Sequence, residues 1–174
     1  MPDEVQSEES ENDMGLLSFI KEAGEKLFGK AEAATIADAQ TNPERAKAAS
    51  DAASEAIVNY IHALNLDATG LLVTFDAPSG VVTVYGVAPD QATKEKIVLC
   101  CGNVAGVASV NDMMSVDQSG TEAKYYTVVS GDTLSKISKQ YYGNANDYMK
   151  IFEANKPMLK HPDKIYPGQM LRIP

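Results

Sequence analysis

The strongest constraint on this chain is its last fifty residues, YYTVVSGDTLSKISKQYYGNANDYMKIFEANKPMLKHPDKIYPGQMLRIP, where local signals arrive in an order that makes a complete small domain. Tyr126 to Val129 is a short β-branched and aromatic run that stops at Ser130-Gly131. Asp132 and Thr133 then offer N-capping oxygens to a helix carrying Leu134, Ile137 and Tyr141 on one face. Gly143 and Asn144 break the chain, and a second helix sets Tyr148, Ile151, Phe152 and Asn155 at helical spacing until Lys156-Pro157 stops it. Tyr166-Pro167-Gly168-Gln169 reads as a tight turn, and Met170, Leu171 and Ile173 supply a closing strand to pair with the first. The expected order is βααβ.

The stretches YTVVSGDTLSKISKQYYGN, IFEANKP and IYPGQMLRIP resemble a LysM module over its full length. That resemblance implies a shallow groove for N-acetylglucosamine polymers, lined here by Gly131, Asp132, Thr133, Leu134, Asn155 and Ile165. A purely structural use competes with it. Gly131 and Asp132 serve the turn and cap, and Leu134 serves the core, whether or not sugar binds.

A chain of 174 residues has room for a second core upstream. Its net charge of −9 is uneven: residues 1–13 carry six acids and no base, residues 14–124 fourteen acids and eight bases, residues 125–174 four acids and seven bases. An acidic body with a mildly basic end argues against nucleic acid, which needs clustered Lys and Arg. It favours attraction between the two parts. No stretch reaches the roughly 20 apolar residues of a membrane span, and the N-terminus lacks a secretory pattern, so a cytoplasmic location without stable membrane insertion is expected. Cys100 and Cys101 are adjacent on a predicted helix and diverge by about 100°, which predicts packing rather than a disulfide or metal site.

Residues 1–13 are acidic, almost free of apolar side chains, and expected to be disordered. MGLLSFIKEAGEKLFGK then places Leu16, Leu17, Ile20, Ala23, Gly24, Leu27 and Phe28 along one side of a predicted helix that should dock on the neighbouring domain. An Ala-rich linker with frayed helical content completes residues 14–43. From Pro43 to Leu66, Ala49, Ala53, Ala56, Ile57, Tyr60, Ile61 and Leu64 recur at helical spacing. His62, beside that stripe, has no second ligand at metal-binding spacing and reads as a surface or half-buried side chain.

LLVTF and VVTVY read as a hairpin, and Ala88-Pro89-Asp90 opens a helix through Ile97, Val98 and Cys101. That helix is expected to end on Gly102 as a left-handed cap, with a last strand from Val107 to Val116. The order αββαβ places helices on one face of a three-stranded sheet over residues 44–117, followed by a linker, 118–124, and the closing domain, 125–174. Fold class is therefore α+β, in two small domains. The hairpin with Gly86, the helix TKEKIVLCC and the return GNVAGVASVND resemble a BON domain.

A BON domain followed by LysM and preceded by MGLLSFIKEAGEKLF resembles the small cytoplasmic potassium-binding proteins of BON-LysM architecture, from Met14 to Pro174. The resemblance implies selective K+ binding that needs both the N-terminal segment and the BON domain. Potassium is large and weakly hydrated, so neutral carbonyls suit it better than a carboxylate cluster. Two places can expose carbonyls: a helical turn interrupted at Gly24, and the helix end at Cys101-Gly102 with its loop to Gly106-Val107. By matching motif positions, the resemblance implies ligation by backbone oxygens of Ile20, Ala23, Glu25, Gly102, Val104 and Val107.

The expected protein is thus a monomeric K+ sensor or K+-dependent conformational switch, with an unidentified protein partner. An enzyme is not expected, because no motif orients a nucleophile and no Gly-rich phosphate loop follows a strand. The alternative is a peptidoglycan-binding module using LysM with BON at a membrane, which would require export.

Overall fold

The computed structural model describes residues 16–20, 23–28 and 41–174. The expectations for residues 1–13 and for most of the Ala-rich segment lie outside the described residues. Helix α1 (Pro43–Ala63) starts where Asn42 Oδ1 accepts the N–H groups of Glu44 and Arg45 at 3.1 and 3.3 Å, with Pro43 in the first turn. Its stripe of Ala49, Ala53, Ile57 and Ile61 is buried. Strands β2 (Thr69–Asp76) and β3 (Val81–Asp90) form the expected antiparallel hairpin. Helix α2 (Gln91–Gly102), capped by Asp90 Oδ1 on Thr93 N–H at 2.7 Å, crosses over to β4 (Ser109–Gln118), which runs parallel to β3.

Inward residues alternate along these strands, with Val73, Phe75, Val82, Val84, Val110 and Met114 facing Ile57, Ile61, Ile97 and Cys101 in one core. His62 is exposed, and Cys100 and Cys101 are buried free thiols, both pushed up by burial. They pack, as expected.

The N-terminal segment is not the expected helix in its described parts. Leu16–Ser18 is strand β1, antiparallel to β4 with Leu17 opposite Val110, which makes a four-stranded sheet of order β1-β4-β3-β2. Leu17 and Phe19 turn toward the core while Leu16 and Ile20 stay exposed, a two-residue period. An open sheet edge with unpaired backbone groups captured a segment whose apolar residues fit either period. Gly102 is a second correction. It is the last helical residue, Asn103 caps the helix with φ −82°, and Gly106 holds the positive φ, 100°. Gly102 is small for another reason: a Cβ there would overlap the Phe19 ring.

The closing domain follows its local signals. Strands β5 (Lys124–Thr127) and β6 (Met170–Ile173) pair antiparallel around α3 (Leu134–Tyr142), a short 3-10 turn (Ala145–Asp147) and α4 (Tyr148–Ala154). Thr133 Oγ1 caps α3 on Lys136 N–H at 3.2 Å, and Gly143 ends it at φ 72°. Gln169 N–H closes the Tyr166–Gln169 turn on Tyr166 O at 3.1 Å. Leu134, Ile137, Ile151, Phe152, Leu159, Leu171 and Ile173 form the second core.

The two domains meet where α2 lies against β6. Glu95 of α2, 3% exposed, pairs with Arg172 of β6, 9% exposed. Its other oxygen accepts Gln91 Nε2 at 2.8 Å and Ala123 N–H at 3.0 Å, so every oxygen of this buried carboxylate is used. Asn103 continues the contact in the manner of a β-bridge, donating to Met170 O at 2.8 Å and accepting Met170 N–H at 2.9 Å.

Candidate ion site

The two segments expected to supply carbonyls lie against each other. Phe19 N–H donates to Ala108 O at 2.8 Å, Glu25 N–H to Asn103 O at 2.7 Å, and Ala105 N–H to Glu25 O at 2.9 Å. The N-terminal strap is therefore pinned to the 103–108 loop at both of its ends, the second pin being a parallel Glu25–Val104 bridge. Gly24, at φ 118°, is required by this approach, because a Cβ would overlap the Asn103 carbonyl. Each segment also makes a turn of its own: Ala23 N–H donates to Ile20 O at 3.1 Å, and Val107 N–H to Val104 O at 3.1 Å.

The carbonyls differ in what they accept. Those of Ile20 and Val104 each accept one N–H from the described residues and keep a second lone pair, while that of Glu25 accepts two, from Leu27 at 3.2 Å and Ala105 at 2.9 Å. Those of Ala23, Gly102 and Val107 accept no hydrogen bond from the described residues. Gly102 and Val107 are buried, and Gly102 closes a helix whose final carbonyls have no partner within it. Buried backbone oxygens left without a donor are costly, and a weakly hydrated cation would satisfy them. Among the described residues no group of three or more His, Cys, Asp or Glu could hold a metal ion, so the donor set suits an ion that accepts neutral oxygen.

The residues of the expected sugar groove have structural partners. Asp132 Oδ2 accepts Val129 N–H at 2.9 Å and the Tyr126 hydroxyl at 2.7 Å, while Gly131 O accepts Lys136 Nζ at 2.8 Å. Thr133 is the cap, Leu134 is 2% exposed, and Ile165 packs on the core. Asn155, 2% exposed, donates to Ile151 O and Arg172 O and accepts Arg172 N–H, locking α4 to β6. The side chains of Leu134 and Asn155 are thus interior.

Sequence reasoning did not single out Phe19, Glu95, Asn103 or Arg172. Asn103 carried a faint signal, an amide directly after a helix end. The other three depend on partners far along the chain.

A four-stranded α+β domain joined to a βααβ domain is the architecture of a BON domain followed by a LysM domain. The BON domain model matches residues 50–118 and the LysM domain model residues 126–174. Potassium binding protein Kbp of Escherichia coli O6:H1 is 46% identical over 165 residues, covering 92% of this chain and 99% of that protein. The chain belongs to the same BON-LysM family as that protein. A Deinococcus radiodurans protein described as uncharacterized is 53% identical over 49 residues, 28% of this chain and 19% of its own length.

Proposed function

We propose that this protein binds potassium selectively over sodium, in the cytoplasm, and acts there as an ion sensor rather than a catalyst. The ion is held between the N-terminal strap and the 102–107 loop by backbone oxygens of Ile20, Ala23, Glu25, Gly102, Val104 and Val107. The observation that carries this reading is the pair of buried carbonyls, Gly102 and Val107, left without donors among the described residues where the strap is pinned down. The relative named for potassium binding supports it.

An ion shared by strap and loop closes the β1 edge onto the BON domain. Binding to the folded state alone stabilises it by about 2.7 kcal/mol when free ion is 100-fold above Kd. Asn103 gives the site a route to the LysM domain, since its carbonyl holds the strap and its side chain holds Met170. Ion occupancy can therefore bias how firmly the LysM domain is seated.

Thermal melting in matched KCl and NaCl tests the reading. The melting temperature is expected to be higher in KCl by several degrees, and the difference to vanish when residues 14–28 are deleted. Equal melting temperatures across a wide range of salt concentrations would sink it.

A further inference from the structure

Between the two domains lies a cleft of about 250 Å³ that neither the carbonyl loops nor the sugar groove explains. Four stretches of chain build it: Glu25 from the strap, Tyr60 from α1, Cys100 of α2 with Asn103 at its cap, and the 158–169 loop of the LysM domain. Cys100 and Leu159 give it a buried apolar floor. Burial holds the Cys100 thiol neutral, so it serves as wall and not as nucleophile.

The polar groups around that floor are of two kinds. The Glu25 carboxylate lies close enough to Tyr60, Tyr166 and Cys100 for its charge to act on all three, after burial itself. Neither phenol hydroxyl makes a hydrogen bond to the described residues, and the two rings are half-buried. Lys160 and Lys164 bring two ammonium groups that form no ion pair among the described residues. Gln169 is 6% exposed, and its Oε1 accepts Tyr166 N–H at 3.2 Å. That bond identifies the oxygen, so the amide nitrogen is the free end, and it donates to no described residue. Among the described residues no buried side-chain nitrogen or oxygen is left without a partner, and Gln169 presents its amide in the cleft wall.

We propose that this interdomain cleft binds a small zwitterion of amino-acid size, carrying an ammonium group and a carboxylate. The ammonium takes the Glu25 carboxylate and the faces of Tyr60 and Tyr166, which attract cations through their ring electrons. The carboxylate takes the Gln169 amide and the charge of Lys160 and Lys164. Both signs of charge in one cleft discriminate against simpler ligands: Glu25 opposes a plain anion, and the lysines oppose a plain cation. The volume, about 250 Å³, is below the roughly 300–1,000 Å³ of pockets that hold drug-sized molecules, which favours a ligand smaller than a nucleotide or a sugar chain. Because its walls come from both domains, an occupied cleft holds the LysM domain against the BON domain.

The test titrates the full chain in KCl with glycine betaine and, separately, free glycine, following the Met158 methyl and the tyrosine ring signals by NMR. Choline serves as the cation alone and acetate as the anion alone. Saturable shifts with at least one zwitterion are expected, with choline and acetate at least tenfold weaker. Combined Lys160→Gln and Lys164→Gln substitution, on exposed side chains, should weaken zwitterion binding at least tenfold at an unchanged melting temperature. Tyr166→Phe, which keeps the ring face, should bind within a few fold of the parent. No saturable shift with either zwitterion overturns the proposal, as does choline or acetate matching them, or the double lysine variant binding unchanged. The KCl against NaCl melting comparison contains no zwitterion, so the ion reading and this one fail separately.

Discussion

The LysM domain and the N-terminal strap differ in what holds them in place. In the LysM domain the caps and turns are satisfied within a few residues: Thr133 by Lys136, Gly143 by Lys139, Gln169 by Tyr166. The strap is held by partners some eighty to ninety residues away, from Phe19 on Ala108 to Glu25 on Asn103. A segment with strong local signals has one good conformation before it meets anything. A segment whose apolar residues suit both a helix and a strand takes the conformation of whatever edge it meets.

The largest test of this contrast cuts the buried ion pair that ties the LysM domain to α2. Glu95→Ala leaves the Arg172 guanidinium buried without its partner, and should cost about 3–5 kcal/mol in urea unfolding. A loss under 1 kcal/mol would mean that the domain is as self-sufficient as its local signals suggest. Next comes the same substitution in each region. Gly102→Ala forces the Phe19 ring off its seat and should cost about 1–3 kcal/mol while shrinking the KCl-minus-NaCl difference in melting temperature. Gly143→Ala strains only a left-handed cap, should cost about 1 kcal/mol, and should leave that difference unchanged. Equal effects on the ion difference would erase the distinction between strap and domain.

The smallest effect is on pH. Burial first, and then the Glu25 charge, push the Tyr166 phenol up to about 12 from its ordinary 10. The folded state then keeps a proton that the unfolded state releases, so the contribution is complete below pH 10 and lost as pH rises toward 12. Burial pushes Tyr60 and Tyr125 in the same direction. The urea midpoint should fall between pH 9.5 and 11 by more than in Tyr166→Phe, and parallel curves for the two proteins would remove the cleft from the account.

Much of this molecule was legible in its residues. Asn42-Pro43 started α1 where expected, the β2–β3 hairpin formed, and the LysM elements came in the expected order. The two stretches proposed to hold the ion lie side by side. What was missed follows from one cause. The strap's strand, the ring of Phe19 over Gly102, the Glu95–Arg172 pair and the Asn103–Met170 clamp all join residues distant along the chain.

By itself the sequence determined the α+β elements, their caps and turns, and the interior faces, because periodicity and capping act within one or two turns of chain. Only the tertiary structure decided that the strap is a fourth strand, that Gly102 must be small for a ring rather than a cap, and that two domains share a buried ion pair and a cleft. Those outcomes depend on which open edge, void or unpaired charge a segment encounters once the chain is compact, and local signals carry no record of that.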